Sequence, residues 1–372
     1  MNSKSYLKII FLFVIFLLVV TALINYIVDP GNIYTKYSSN KNKLTPAVYI
    51  KKLLESNYGL LMPKNTWNER DLKKTLAEYP INYDCAIIGS SRIQQISSNR
   101  QNKSLVGTCS DMKNLSVPGA TLEDYLAMSN VILKNTEFMP RTIVFGIDPW
   151  SFNFGRDKRW VRYEQDYLEM KSTLFKRHPS THLNNNSNKD LLINLFNFQY
   201  LKRSLSVLFK TDILIVPAPE FNHSKGLDFD VMLKDGSRIF NGLYINKTKN
   251  SINTVSGNDA HSKYKIIANS FSQDEAIKIF KKLVRHLKIS KINIVFVLTP
   301  YHHSVWNYPS QSIVRSIELI EKKVHEIAEQ YKARVIGSYN PINIGCLENE
   351  FYDSIHPMDT CLIKLESNMT VH

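Results

Sequence analysis

The sequence predicts an α/β protein in three layers, a parallel sheet with helices on both faces, led by an apolar helix and interrupted by a large insertion. Three features carry that prediction. Short apolar runs at 85–88, 141–147, 292–298 and 334–337 alternate with stretches of helical periodicity, as buried parallel strands and their crossovers do. Residues 9–28 form an apolar run long enough to cross a bilayer. Between Ser151 and Ser270 the strand and helix alternation lapses. The chain accordingly divides into an anchor (1–28), a helical juxtamembrane linker (29–82), a first core segment (83–150), an insertion (151–270) and a second core segment (271–372).

The anchor is broken only by Thr21 and Asn25. Lys4 and Lys8 precede it, and no small-x-small cleavage site follows. It reads as an uncleaved span with a cytoplasmic N-terminus and the remaining chain outside the cytoplasm; a cleaved signal peptide is the alternative. Asp29-Pro30-Gly31 ends the helix. From Lys41 to Tyr79 the pattern is helical and charged, broken at Pro63 and closed by Pro80.

In the first core segment, Tyr83-Asp84-Cys85-Ala86-Ile87-Ile88-Gly89-Ser90-Ser91-Arg92-Ile93 runs an apolar strand into a Gly-Ser-Ser turn and a short helix. Ligands of open α/β sheets bind at such carboxyl edges. A serine there faces unpaired backbone N–H groups that can stabilise an oxyanion, which makes it a nucleophile candidate; a plain polar loop is the simpler alternative. A weak strand at Ser104-Leu105-Val106 follows, then a helix from Thr121 with Leu122, Tyr125, Leu126 and Ile132 on one face. The strand at 141–147 ends at Asp148-Pro149-Trp150.

The insertion holds an aromatic and basic segment (Phe152, Phe154, Arg156, Arg159, Trp160, Arg162, Tyr163), an Asn-rich run at 184–188, an apolar helix over 191–209 and a hairpin over 227–245 turning at Asp235-Gly236. It is expected to close over the site or bind an acceptor, or simply to pack its own core. The second core segment resumes the rhythm with a helix over 273–287, the strand at 292–298, the loop Thr299 to His303, a helix over 312–331 and the strand at 334–337. Tyr301 and His302, at a strand's carboxyl end, are candidate pocket residues, as is Asp148; a surface or capping role is the alternative for the histidine pair.

Near the C-terminus stands Phe351-Tyr352-Asp353-Ser354-Ile355-His356-Pro357. An Asp and a His three apart can fold onto each other in one turn, so that the carboxylate fixes the tautomer and the other ring nitrogen faces a serine. Ser91, Asp353 and His356 would then form a triad.

Four blocks stand in order: the Gly-x-Ser of Gly89 to Ser91, Asn114 to Gly119, the Gly-x-Asp of Gly146 to Asp148, and the terminal Asp-x-x-His. This order resembles the SGNH/GDSL hydrolase superfamily, and within it the membrane-anchored branch that includes the teichoic-acid D-alanylation protein DltD and the acetylation proteins of alginate export. The resemblance covers roughly 83–150 and 292–359. It implies a flavodoxin-like sheet, Ser91 and not Ser90 as nucleophile, and the N–H groups of Ser91 and Gly119 as the oxyanion hole. Where many members carry a donor Asn, this chain has Asp148, and an ionised carboxylate cannot donate. The implied activity is that of an extracytoplasmic serine esterase or O-acyltransferase on an envelope polysaccharide or lipid-linked glycan. Its donor would be an acylated glycan or acyl carrier, and a membrane O-acyltransferase is a candidate partner. Two other readings stand beside it: an assembly protein of an envelope polysaccharide-modification complex, and an anchored α/β domain whose triad is coincidental.

Composition narrows the classes. A hydrophobic fraction of 44% argues for a packed body. The net charge of +14 comes without a zinc-finger, RNP or basic-zipper pattern, which turns the expectation from nucleic acid toward an anionic lipid or polymer surface, or a solvated lysine-rich one. No Gly-x-Gly-x-x-Gly or Walker loop is present, so no nucleotide cofactor is expected, and His261, His302 and His303 lack ligand spacing for a metal. Outside the cytoplasm the four cysteines would meet oxidising conditions; Cys346 and Cys361 bracket the Asp353 and His356 loop, where a disulfide would brace it, although spacing alone leaves the pairing open. Cys85, inside a strand, also reads as a buried apolar residue.

Overall fold

A computed structural model describes residues 3–28, 45–62, 68–153, 158–176, 195–208, 216–218, 229–242, 244–245, 271–307 and 311–366. The chain divides into two compact units. Phe154, Arg156, the Asn-rich run, Pro63 and His261 lie outside the described residues.

The first unit draws on Met1–Tyr49, Pro63–Asn68 and Ser180–Ile215. Its main element is α1 (Ser3–Val28), which contains the one helix segment among the described residues long and apolar enough to cross a membrane, Lys4–Val28. The end of α1 packs against a helix of the insertion, Phe198–Leu208.

The second unit, Ile50–Met62, Glu69–Pro179 and Val216–His372, holds a five-stranded parallel sheet and a small antiparallel one. The small sheet comprises β1 (Gly59–Leu61), β5 (Val231–Leu233) and β6 (Arg238–Ile239). The large sheet is made of β2 (Cys85–Ile88), β3 (Met112–Asn114), β4 (Thr142–Gly146), β7 (Asn293–Leu298) and β8 (Arg334–Gly337), in the order β3-β2-β4-β7-β8. The chain steps from β2 to one side, then jumps back across it to β4. The strand order therefore reverses between β2 and β4, the place where open α/β sheets bind ligands at their carboxyl ends.

The two faces of this sheet are covered differently. Crossovers between parallel strands are right-handed, so the moves β3 to β4, β4 to β7 and β7 to β8, all in one direction, place their helices on one face. These are the helices Leu122–Lys134, Phe271–Ile289 and Gln311–Tyr331. There Phe145, Phe280 and Phe296 form an aromatic core with Tyr125, ring centroids 5.6 Å apart for Phe145 and Phe280. The single opposite move, β2 to β3, sends residues 91–111 to the other face. Ile93, Ile96, Leu105 and Cys109 from that segment, with Phe351, Leu362 and Leu365 from the C-terminal stretch, cover Cys85, Ile87, Val144 and Val297. Short elements stand on this face: the 3-10 turn Ser91–Ile93 and the helices Pro341–Ile344 and Asp359–Leu362.

Two local expectations are corrected. Ser104 to Val106 is no strand: Leu105 has a positive φ of 59°, and the carbonyl of Leu105 accepts from Thr108 and Cys109 in a turn. The edge strand is Met112–Asn114 instead. Glu69–Glu78, read as linker, belongs to the body: Leu72, Lys73 and Leu76 are buried, and Arg70 binds Asp124 through both carboxylate oxygens at 2.7 and 2.9 Å. The short helix expected after Gly89 is a 3-10 turn, Ser91–Ile93. Elsewhere Thr121 stands at the N-cap of its helix as expected, its N–H donating to Asp124 Oδ2 at 3.1 Å, and the expected hairpin turns at Asp235-Gly236, where Gly236 takes φ 83°.

Candidate active site

Strand β2 ends at Gly89 because nothing larger fits. A Cβ there would lie 2.5 Å from the Ile93 side chain and 3.0 Å from the carbonyl of Gly146. The chain then turns so that Ser90 caps the 3-10 helix, its Oγ accepting from the Arg92 N–H at 3.2 Å, and is buried. Ser91 follows, only partly buried. Of the two serines, Ser90 therefore has a structural task and Ser91 faces outward.

Asp353 and His356 come to Ser91 in a closed loop. Phe351 pairs with Pro357 as an antiparallel bridge, and the N–H of Tyr352 donates to the carbonyl of His356 at 2.9 Å. Inside the loop, Asp353 Oδ1 accepts from the backbone N–H groups of Ile355 and His356 at 2.9 and 2.8 Å. His356 Nδ1 stands 2.8 Å from Asp353 Oδ2, and its Nε2 stands 2.9 Å from Ser91 Oγ. An ionised carboxylate only accepts, so Nδ1 carries the proton and Nε2 turns its lone pair to the serine. Burial alone would raise the Asp353 carboxyl; the His356 imidazole and the two backbone N–H groups hold it well below the usual carboxylate range. A disulfide between Cys346 and Cys361 closes the segment that contains this loop, and a second joins Cys85 to Cys109.

The segment from Asn114 to Gly119 runs beside the serine turn. Leu115 donates to Ile87 and Val117 to Gly89, at 2.8 and 2.9 Å. The Asn114 amide donates to the carbonyls of Ile93 and Ile96 at 2.9 and 2.8 Å, fastening β3 to the turn. Gly119, at φ 64°, lies two residues past the bond to Gly89, and Ser91 lies two residues past Gly89 on the other strand. Arg159 donates to the carbonyl of Pro118 at 2.8 Å, beside this glycine.

Asp148 and Tyr301, read as pocket candidates, lie in the interior beneath the turn. Both belong to the surroundings of Arg92, which is itself buried. Its guanidinium donates to Asp148 Oδ1 at 3.0 Å, to the carbonyls of Ile355 at 2.8 Å and Pro300 at 2.9 Å, and to that of Thr299, and stacks 3.9 Å from the centre of the Tyr301 ring. One side chain next to Ser91 thus ties the loops after β2, β4 and β7 to the histidine loop. Burial raises the Asp148 carboxyl above its ordinary value, against the charge of Arg92. Asp148 answers a cation, which accounts for an acceptor where a donor Asn was expected. His302 is buried too: its Nδ1 accepts from the Ser304 N–H at 3.1 Å, capping a single helical turn, and its backbone N–H donates to the carbonyl of Ser354.

Sequence reasoning missed Arg92 and Tyr244. The insertion's hairpin is welded to the serine turn: Arg238 N–H donates to the carbonyl of Gln94, and the Asp235 carboxylate accepts from Ser97 and from the Ser98 N–H. Beyond it, Asp230 accepts from Asn241 through both backbone and side chain at 2.7 Å. The chain is thereby led to His356, where Tyr244 donates to Asp353 Oδ2 at 3.0 Å and Phe240 meets the imidazole edge to face. A tyrosine and a phenylalanine four apart after a hairpin were the only available signal. Of the aromatic and basic segment, Phe152 and Tyr163 pack in the core and Arg162 pairs with Asp71.

Among the described residues no group of three or more His, Cys, Asp and Glu side chains could hold a metal ion. No family model matches the chain, and no curated protein matches it.

Proposed function

We propose that this protein is a membrane-anchored serine hydrolase or acyltransferase of the SGNH type, acting outside the cytoplasm on acyl esters of an envelope polysaccharide or lipid-linked glycan. The observation that carries the reading is the linear relay Ser91 Oγ to His356 Nε2 at 2.9 Å and His356 Nδ1 to Asp353 at 2.8 Å. Its position supports the reading: the relay sits at the carboxyl edge of a parallel sheet, beside the strand where the order reverses. The superfamily and its flavodoxin-like sheet, suggested by four short blocks, are part of the proposal, as is the placement of the body outside the cytoplasm.

In this mechanism Ser91 Oγ attacks the acyl carbonyl while His356 Nε2 takes the hydroxyl proton. The oxyanion is met by the N–H groups of Ser91 and Gly119. Collapse breaks the ester bond, the leaving alcohol takes the proton back from His356, and an acyl-Ser91 ester remains. Water, deprotonated by His356, releases the acid; a sugar hydroxyl in its place gives transfer. Asp353 fixes the tautomer and balances the transient imidazolium. Asp148, paired with Arg92, takes no part in the oxyanion contacts in this mechanism.

The test is covalent labelling of the full-length protein in detergent with a fluorophosphonate, which reports an activated serine without knowledge of the substrate. Labelling that is lost in Ser91→Ala and His356→Ala and kept in Ser90→Ala supports the assignment. A folded protein that takes no label would favour the docking role in an envelope polysaccharide-modification complex.

A further inference from the structure

We propose that the segment from Leu195 to Leu208 is a lipid-surface element, with Phe196 and Phe198 seated among the headgroups and outer acyl chains of the bilayer. This rests on the reading of α1 as a membrane span. Most of α1 is exposed, and burial begins only at Val20. Asn25 is fully buried, the lone amide in a helix otherwise suited to hydrocarbon. A polar side chain near the end of a span is costly unless satisfied. Here Nδ2 donates to the carbonyl of Leu195 at 2.8 Å and Oδ1 accepts from Ser204 Oγ at 2.9 Å. Ser204 is itself completely buried, its Oγ also 3.0 Å from the carbonyl of Tyr200 in its own helix.

These bonds set the height of the segment relative to α1. Tyr6 and Tyr26 stand twenty residues apart, about 30 Å along a helix, which is the thickness of the hydrocarbon core. Both are exposed, as interfacial tyrosines are. Asn25 adjoins Tyr26, so what it binds lies at the outer interface. At that level Phe196 is 51% exposed and Phe198 76%, on either side of Asn197, which caps the helix by accepting from the Tyr200 N–H. Two large exposed apolar rings in one short stretch would be costly in water and are favourable at the lipid boundary. Lys202, one turn on from Phe198 and exposed, can carry its ammonium to the phosphates. The segment would hold the end of the span and the surface of the bilayer together.

Site-directed spin labelling of the full-length protein in vesicles of phosphatidylcholine and phosphatidylglycerol tests this. Nitroxides are placed at Ile15→Cys, Phe198→Cys and, as a reference on an exposed helix of the other unit, Lys278→Cys. Each label's collision rate is measured with oxygen, which partitions into lipid, and with a water-soluble nickel chelate. The expected result is an oxygen-to-nickel ratio at Phe198 several-fold above that at Lys278 and below that at Ile15, reduced toward the Lys278 value when Asn25→Leu is added. A ratio at Phe198 equal to that at Lys278, or a label shielded from both colliders by a protein partner, would overturn the lipid assignment while the Ile15 label still reports a span. An Ile15 label in water would overturn the span and this inference with it, leaving the serine chemistry to its own test.

Discussion

The hydroxyl of Tyr244 donates to Asp353 Oδ2 at 3.0 Å, on the same oxygen that accepts from His356 Nδ1. A residue of the insertion therefore orients the carboxylate that orients the imidazole. With two backbone N–H groups on Oδ1, Asp353 is held from both sides. A hydrogen bond to a charged group contributes about 1.5–3 kcal/mol. Tyr244→Phe is expected to slow fluorophosphonate labelling of the folded protein on the order of tenfold, the equivalent of about 1.4 kcal/mol, and to lower the melting temperature by a few degrees. An unaltered labelling rate would reduce Tyr244 to a wall residue.

Ser90 and Ser91 separate by role. Ser90→Ala removes a cap bond worth about 0.5–2 kcal/mol and should lower the melting temperature slightly with labelling retained. Ser91→Ala removes the proposed nucleophile and should lose the label at unchanged stability. The reverse pattern, measured on the same two variants, would move the assignment to Ser90.

Arg92 and Asp148 are expected to behave as a buried pair. Removing one partner leaves the other charge without compensation, at a cost of about 3–5 kcal/mol. Asp148→Asn should therefore lower stability in thermal unfolding and lower labelling, even though it restores the amide expected by resemblance. Higher activity in Asp148→Asn would mean that the amide reaches the oxyanion and that Arg92 is satisfied by its carbonyl partners alone.

His302 supplies a pH dependence. Burial lowers its folded-state pKa below the ordinary 6.5, chiefly by desolvation, with Glu348 opposing. As pH falls through 6.5 the unfolded chain takes up a proton that the folded one resists, so stability declines in that direction. Above 6.5 both forms are neutral and the term vanishes. His302→Asn keeps an acceptor for the Ser304 N–H and removes the titration. The melting temperature of this variant is expected to fall less than that of the wild type between pH 6.5 and 5, and parallel declines would exclude His302 as the source.

The parts of the site legible in the sequence are those whose geometry is local. Gly89 to Ser91 stands at the end of an apolar run, and Asp353 and His356 are three residues apart, so each piece can be recognised without knowing the fold. Tyr244 has no such signature. It reaches Asp353 because Asp235 clamps the residues after the serine turn and Arg238 bonds Gln94, contacts spanning more than a hundred residues. The central strands were readable as apolar runs, but Met112-Lys113-Asn114 was not: it is three residues long, with Lys113 at its centre donating to the Tyr79 carbonyl. The second layer is made of short elements for a topological reason. Only one connection crosses that face, and it contains a 3-10 turn and a disulfide cysteine in place of a helix.

The two disulfides should separate in the same assays. Cys346 and Cys361 are 15 residues apart and enclose both Asp353 and His356; Cys85 and Cys109 are 24 apart, with Cys85 at the start of β2, at the opposite end of the strand from Ser91. Loops of these lengths each restrict the unfolded chain by about 3 kcal/mol, so either Cys-to-Ser pair should lower the melting temperature. Their effects on labelling should diverge. Without the Cys346 to Cys361 bond, the loop loses the cross-link that limits its excursions, and the 2.9 Å approach of His356 Nε2 to Ser91 is expected to be populated less, which slows labelling of the folded protein. Without the Cys85 to Cys109 bond, Ser91 remains held by Asn114, Arg92 and the Ser90 cap, and the labelling rate of the folded fraction should stay close to that of the wild type. Equal slowing in both double variants would mean that the cross-links act through global stability, and that the histidine loop is held by its own backbone bonds without the disulfide.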